Sequence, residues 1–299
     1  MDIKDLELLQ KMFEKGRCSI EELSSTVNID PSNIQRRLKL LEIEGILKGF
    51  SAFFDRRTFG FDTTYVKLNF SPKERKRVVK GTANLPQVSS VLLNLDDFLL
   101  VEVVHWDMKA LQSTIRALER ISPHANVTSH YFIKMPDEVP DRPRKKDLEL
   151  LLELVRDGMA PADSLSRATG VPENEIEGII RGYQNVRLVR VQPLIDEGAL
   201  FPFPPVSAVI LTERKEEDEV LTELINLSRD CYWKQLLSDP PGLFIRSFGG
   251  DLHRMDDLLE RYRRVRGVLE VMVIIPDRTI HDRSVDMSMI KLALGKRSK

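Results

Sequence analysis

The sequence predicts an α+β protein in which a helical head and an alternating sheet domain occur twice. Three observations support this prediction. The chain repeats itself at an offset of 142 residues, each repeat opens with amphipathic helices, and each continues with alternating strands and helices. The repeat is clearest in KDLELL, which occurs at 4–9 and again at 146–151. Such internal similarity indicates a duplicated unit.

Composition limits the classes of function. The chain has 299 residues, 42% of them hydrophobic, which is enough for several apolar cores. The net charge of -1 means that any signal for nucleic acid must be local. Two distant cysteines exclude a disulfide framework, and the five histidines lack metal-ligand spacing. The first residues lack the apolar core of a signal peptide. We therefore expect a cytoplasmic protein with no membrane contact, no metal and no cofactor.

The head begins with three predicted helices. Residues 2–15 carry apolar side chains at helical spacing. Ser19 followed by Glu22 is a capping-box pattern that opens a second helix. Asp30 caps a third, with Pro31 at the first helical position, where the missing N–H is not needed. A short turn between the second and third helices is typical of a helix-turn-helix.

The segment after the third helix predicts a β-hairpin. ILKGFSAFF and RRTFGF would be its strands, with the tip at Asp55, Arg56 and Arg57. Three helices followed by a hairpin form a winged helix-turn-helix. The rest of each repeat reads β-α-β-β-α-β, the ferredoxin-like arrangement. The predicted domains, in order, are 1–60 and 61–136, a Pro-rich linker at 137–145, then 146–200 and 201–277, and a tail at 278–299.

The stretch DPSNIQRRLKLLEIEGILKGFSAFFD and the following FGF resemble the Lrp/AsnC family of prokaryotic transcription regulators. The resemblance covers nearly the whole chain, twice. It implies a DNA-binding head, and a βαββαβ domain that oligomerises and binds a small-molecule effector. The tandem fusion is a departure from the family, whose ordinary members carry one unit.

The third helix supplies the candidate DNA contacts. With Ile34, Leu38 and Leu41 facing the core, the opposite face is polar. Arg and Lys suit guanine edges and phosphates, and Asn and Gln suit adenine. Cations at the hairpin could hold phosphates. An amphipathic helix usually has a merely solvated polar face, but the helix-turn-helix context favours contact with double-stranded DNA. The predicted DNA-binding residues are Ser32, Asn33, Gln35, Arg36, Arg37, Lys39, Lys48, Arg56 and Arg57.

The second copy is an internal control for this prediction. Residues 31–57 hold six Lys or Arg and three acids, net +3, whereas 173–199 hold three Arg and five acids, net -2. Carboxylates repel a phosphate backbone. Gly178 and Gly182 also weaken the equivalent helix by about 1 kcal/mol each. We therefore expect the first head to bind DNA and the second to be a structural or protein-contacting copy.

The resemblance also suggests an effector site and an assembly. The family's loop between the second and third sheet strands reads G-x-x-D, and here it is Asn94-Leu95-Asp96-Asp97, which keeps the Asp and loses the Gly. Asn94 and Asp97 are the predicted ligand-binding residues. One competent head per chain predicts a homodimer on a pseudo-palindromic site. Alternatively, the two sheet domains pair within one chain and imitate the family's dimer.

Two other functions stay open on sequence alone. Some proteins that resemble this family, with the same two-part unit, decarboxylate sirohaem-type tetrapyrroles. The His- and Tyr-containing signatures on which they rely are not found in this sequence, so we expect no enzyme. The other alternative is a protein-interaction or sensor module whose first head has lost DNA binding.

Overall fold

The computed structural model describes residues 1–136, 138–200, 203, 205–214, 217–248 and 252–295. The chain divides into two compact units. The head unit comprises Met1–Asp62, Asp137–Asp196 and Asp282–Lys299, and the sheet unit comprises Thr63–Pro136 and Glu197–His281. Each unit therefore combines segments of both sequence copies.

The head unit contains two three-helix heads, one from each copy. The predicted caps are present: Ser19 and Glu22 form a capping box, and the Asp30 side chain accepts from the Ser32 N–H. The helices of the first copy are α1 (Ile3–Lys15), α2 (Ile20–Val27) and α3 (Pro31–Ile43), and those of the second are α6 (Lys145–Arg156), α7 (Ala162–Thr169) and α8 (Glu173–Asn185).

The predicted hairpin after α3 is wrong. Strand β1 (Leu47–Phe54) pairs antiparallel with β6 (Val189–Ile195), its equivalent in the second copy, so that Ala52 lies opposite Val191. The chain then forms a short 3-10 turn, Arg56–Phe59, instead of folding back along β1. The Asp55 side chain starts this turn by accepting from the Arg57 N–H. Because β6 already satisfies an edge of β1, the two heads share one ribbon.

Two equivalent glycines allow the heads to approach closely. A Cβ at Gly16 would lie 2.7 Å from the Val191 carbonyl oxygen. A Cβ at Gly158, 142 residues later, would lie 3.1 Å from the Ser51 backbone nitrogen. Each first helix therefore ends against the strand of the other copy, in a pseudo-two-fold arrangement.

The sheet unit holds two ferredoxin-like domains in one nine-stranded sheet. Its order is β10-β7-β9-β8-β5-β2-β4-β3-β11, so each copy has the same internal order and β5 joins β8. The predicted βαββαβ order is confirmed in both copies. The first copy contributes β2 (Asp62–Asn69), α4 (Arg75–Ala83), β3 (Val88–Asn94), β4 (Phe98–His105), α5 (Met108–Glu119) and β5 (Asn126–Ile133), and the second contributes β7 (Pro205–Thr212), α9 (Glu217–Leu227), β8 (Trp233–Asp239), β9 (Pro241–Phe248), α10 (Leu252–Arg264) and β10 (Val268–Ile274).

Alternating side chains divide the sheet unit into layers. In the first copy, Val66 and Leu68 face the helices, and Tyr65 faces the other way. In the second copy, Ile210 faces the helices and Val209 packs in the same core as Tyr65. The inner faces of both copies thus form one shared core, with the helices outside it.

The C-terminal segment is more ordered than a tail. Strand β11 (Pro276–His281) pairs with β3, and helix α11 (Ser284–Ala293) buries Val285 and Met289 in the head unit. The basic end, residues 296–299, and linker residue 137 lie outside the described residues. Among the helices of the described chain, none has the length and apolar character needed to cross a membrane.

Candidate nucleic-acid interface

Helix α3 is anchored by its apolar stripe and exposes a polar face. Ile34 and Leu41 are buried at 0% and 1% exposure. The Ser32 hydroxyl donates to the Asp30 carboxylate at 2.7 Å, and this hydrogen bond lowers the pKa of Asp30. Ser32, Gln35, Arg36 and Lys39 are exposed, and Asn33 is half-buried. The first helical turn is therefore fixed as a carboxylate-capped start, with the polar face in solvent.

The Arg36 guanidinium donates to the Asn33 amide oxygen at 3.1 Å. Both residues lie on the exposed side of α3, one turn apart. This contact positions Arg36 along the helix surface and leaves its other donors available. A cation with an adjacent amide is a donor-rich pair that can read base edges.

Arg37, the next residue, does not lie on the exposed face of α3. Its guanidinium pairs with Asp5 at 2.7 Å and with Asp2 at 2.9 Å, both at the start of α1. The hydrogen bond to Asp5 raises the pKa of Arg37, and the Asp2 bond adds to the effect. Arg37 therefore ties α3 to α1. The sequence predicts Arg37 as a DNA-binding residue and does not predict this contact.

The cations expected at a hairpin tip have protein partners. Arg56 pairs with Asp286 on α11 at 2.8 Å, with side chains 10% and 6% exposed. Arg57 pairs with Asp55 at 2.6 Å. The expected exposed tip is wrong because the chain forms a 3-10 turn at this point. Lys48 stays 53% exposed and lies 3.6 Å from Asp196.

Helix α8, the counterpart of α3, lacks these features. Pro172 replaces the capping aspartate and offers no side-chain cap. Gly178 and Gly182 are both exposed, and a Cβ at either would meet nothing within 4 Å. Glu177, the counterpart of Gln35, pairs with Arg17 of the first head at 2.6 Å. Part of the polar face of α8 therefore contacts the other copy.

The link from third to first helix survives in the second head with different chemistry. Asp147, the counterpart of Asp5, is fully buried. The Tyr183 hydroxyl donates to it at 2.6 Å, and Arg144 pairs with it at 2.8 Å. Burial raises the pKa of Tyr183 to about 12, and the Asp147 carboxylate adds to this shift. Both copies therefore keep a side-chain link between the third and the first helix at this place.

Arg17 is a residue that the sequence reasoning missed. Besides Glu177, it donates to the Gly158 and Ala160 carbonyls, each at 2.9 Å. Its counterpart at the repeat offset is Met159, so the two copies differ in charge at this position. The difference in charge is present in the sequence, but the sequence does not show that Glu177 is the partner of Arg17.

The predicted effector residues lie at a junction between the copies in the sheet unit. Asn94 is 1% exposed, and its amide oxygen accepts from the Ile275 N–H at 2.8 Å. Asp97 pairs with Arg75 at 3.2 Å, and Arg75 also pairs with Asp277 at 3.1 Å. The structure brings Asn94 and Asp97 together, and gives each a protein partner.

Residues 1–48 match the winged helix-turn-helix DNA-binding family. An uncharacterized HTH-type transcriptional regulator of Pyrococcus furiosus is 25% identical over 125 residues, which are 40% of this chain and 81% of that protein. An HTH-type transcriptional regulator of Mycobacterium tuberculosis is 28% identical over 134 residues, 42% of this chain and 86% of its own. The chain therefore carries a winged helix-turn-helix and is similar to HTH-type transcriptional regulators.

A solved structure of another protein is similar to this chain over both copies. The siroheme decarboxylase NirDL covers 97% of this chain and 99% of its own, with a TM-score of 0.53 and 13% identity. At this identity the likeness shows the fold alone. The tandem arrangement of two heads and two ferredoxin-like domains therefore occurs in another protein as well.

Proposed function

We propose that this chain regulates transcription by reading DNA with the exposed face of α3. The observation that carries the proposal is the contrast between equivalent helices. Helix α3 has a side-chain cap and an exposed face with Arg36 and Lys39, whereas α8 has no cap and uses Glu177 to hold Arg17. A phosphate backbone attracts exposed cations such as those of α3 and repels a carboxylate such as Glu177.

The roles on α3 follow from side-chain chemistry. Arg36 and Lys39 are assigned to guanine edges or phosphates, and Gln35 to adenine. Ser32, Asn33 and Lys48 flank this group and are assigned to phosphates and supporting contacts. Arg37 is assigned to positioning α3, and Arg56 and Arg57 to the head unit's own ion pairs.

The chain is proposed to act as a pseudo-dimer with one reading helix. The two heads share the β1–β6 ribbon, and β5 joins β8 in the sheet unit, so the pairings expected between two chains occur inside one. A pseudo-palindromic site would then recruit two chains, which meet through a surface outside these pairings. The proposed work on DNA supports a cytoplasmic location.

The two predicted effector residues, Asn94 and Asp97, are also assigned to contacts within the chain. Asn94 holds the Ile275 backbone, and Asp97 and Asp277 share Arg75. An effector at Asp97 would have to displace Arg75 and leave a half-exposed carboxylate without its cation. We therefore assign both residues to joining the copies, and propose no effector at this loop.

Selection of bound sequences from random DNA tests the reading face. Arg36→Ala is expected to lower affinity about 10-fold or more and to relax the preference at one base pair, since a good base contact contributes about 1–3 kcal/mol. Lys39→Ala should weaken binding, while Arg181→Ala, the same truncation at the equivalent position of α8, should leave it unchanged. Equal losses for Lys39→Ala and Arg181→Ala would contradict the assignment of reading to one helix.

A siroheme decarboxylase-like activity is the second candidate, because the match to NirDL spans both copies. A buried polar cluster in the sheet unit argues against it: Glu197 binds Arg246, Thr279 and Tyr232, so these groups are directed at each other. We propose that the chain has no such activity. Titration with iron uroporphyrin is expected to give no saturable change in absorption, and a saturable change with loss of carboxylate would support the enzyme.

A further inference from the structure

Helix α4 and the turn before it carry a stripe of cations on the outside of the sheet unit. Lys73, Lys76, Arg77 and Lys80 are all exposed, and they follow the i, i+3, i+4, i+7 spacing of one helix face. Within the described part of the chain, none of the four forms an ion pair. The opposite face is anchored in the core by Val78, at 0% exposure. We call these four residues the basic stripe.

Helix α9 is the equivalent helix of the second copy and carries the opposite charge. Its exposed residues include Asp218, Glu219 and Glu223, and its sequence, EDEVLTELINL, has no cation. At the repeat offset, Asp218 replaces Lys76 and Glu219 replaces Arg77. We call these three acids the acidic stripe. Asp218 is 98% exposed, with Lys134 at 4.0 Å as a marginal partner.

The acidic stripe borders a shallow surface depression. Its lining includes the three acids together with Thr222, Asn226 and Leu227. Ile225 on the same helix is 39% exposed. The surface thus offers carboxylates around a small apolar contact, a combination that can receive the long aliphatic stems and charged ends of Lys and Arg.

The two stripes cannot meet within one molecule. The inner faces of the two sheet copies share one core, so α4 and α9 lie on opposite outer layers of the sheet unit. A basic face on one side and an acidic face on the other are complementary between molecules. Contacts of this kind are head-to-tail, and they build open chains or rings instead of closed two-fold dimers.

We infer that the acidic stripe of one chain docks on the basic stripe of a second copy of the same chain. A second copy of the chain is the partner that the charges favour, because the acidic stripe and the basic stripe are complementary and occupy equivalent positions in the repeat. Exposed ion pairs are individually weak and are screened by salt, so the association should be weak in free solution and strongest at low ionic strength. This inference stands apart from DNA reading by α3.

Sedimentation equilibrium on the full chain tests it with residues exchanged between equivalent positions. The α4-reversed variant is Lys76→Asp with Arg77→Glu, and the α9-reversed variant is Asp218→Lys with Glu219→Arg. A control, Lys109→Glu with Arg116→Glu, makes a similar change of charge on the exposed face of α5. Wild type and control should self-associate at low salt, with an association constant that falls about 10-fold or more between 50 and 300 mM salt.

Each reversed variant alone should lose self-association, because Lys76→Asp with Arg77→Glu leaves the basic stripe with no net charge, and Asp218→Lys with Glu219→Arg changes the acidic stripe from -3 to +1. An equimolar mixture of the two should regain it, because the intact acidic stripe of the α4-reversed variant can then dock on the intact basic stripe of the α9-reversed variant. The inference is overturned if the wild type stays monomeric at low salt, or if the reversed variants associate like the wild type. It is also overturned if the α4-reversed variant loses only DNA affinity, with a reduced salt slope, since the stripe would then be a phosphate contact.

Discussion

Adjacent arginines on α3 have different environments and therefore different expected roles. Arg36 is exposed and donates a hydrogen bond to Asn33 on its own helix, whereas the Arg37 side chain is 18% exposed and is held by Asp2 and Asp5. One helical position turns a side chain by about 100°, which is enough to move it from solvent to the α1 contact. The residue type and the position in the sequence do not by themselves distinguish the environment of Arg36 from that of Arg37.

Replacing each arginine in turn should separate stability from DNA affinity. Arg37→Ala is expected to destabilise the protein by about 2 kcal/mol, because it leaves the partly buried Asp5 carboxylate without its charged donor. Arg36→Ala should leave the midpoint of urea unfolding within experimental scatter and lower DNA affinity. An Arg37→Ala protein that is as stable as wild type but defective in DNA binding would instead place Arg37 on the DNA.

Helix α8 keeps the apolar stripe of α3 but lacks its side-chain cap and contains two glycines. Ile176 and Ile180 are buried, so the helix still packs. Pro172 supplies no cap, and the polar side chain Glu177 faces Arg17. Conservation of the packing face together with loss of the polar face indicates that α8 serves the fold.

The glycines of α8 should be replaceable with a gain in stability. Gly178→Ala and Gly182→Ala are each expected to stabilise the protein by about 0.5–1 kcal/mol, since alanine restricts the unfolded chain and its methyl group enters open space. Urea unfolding measures the gain, and DNA affinity should not change. A loss of stability in either variant would show that the helix needs glycine for a contact that the structure does not contain.

At the scale of the whole molecule, the two copies are joined by ion pairs of consistent polarity. In each of the following pairs the first copy supplies the cation and the C-terminal half supplies the anion. The pairs are Arg17–Glu177, Lys48–Asp196 and Arg56–Asp286 in the head unit, and Arg75–Asp277 in the sheet unit. Two identical copies could not divide charge in this way, so duplication allowed each half to become specific for the other.

Close packing between the heads gives a second test of this joined structure. Gly158→Ala is expected to destabilise the protein by roughly 1–3 kcal/mol, because the new methyl group would overlap Val191 and the Ser51 backbone. Gly178→Ala is the matched control: the same chemical change in the same copy, with the opposite sign expected. If urea unfolding shows Gly158→Ala to be neutral, the heads do not pack as described.

The duplicated α+β plan, the caps at Ser19 and Asp30, and the difference between α3 and α8 could all be predicted from the sequence. These features depend on local spacing and on comparison at a fixed offset, which one sequence contains. It misplaced the hairpin because the partner of β1 is β6, about 140 residues away, and local pattern carries no information on which edge pairs with which.

Which of the cations are exposed could not be predicted from the sequence, because their partners are brought near by tertiary packing. Arg37, Arg56 and Arg57 look like Arg36 and Lys39 in the sequence, yet the first three are held by Asp5, Asp286 and Asp55. Two of these carboxylates come from distant parts of the chain. A cation's availability depends on the nearest anion in space, and that distance is set by packing.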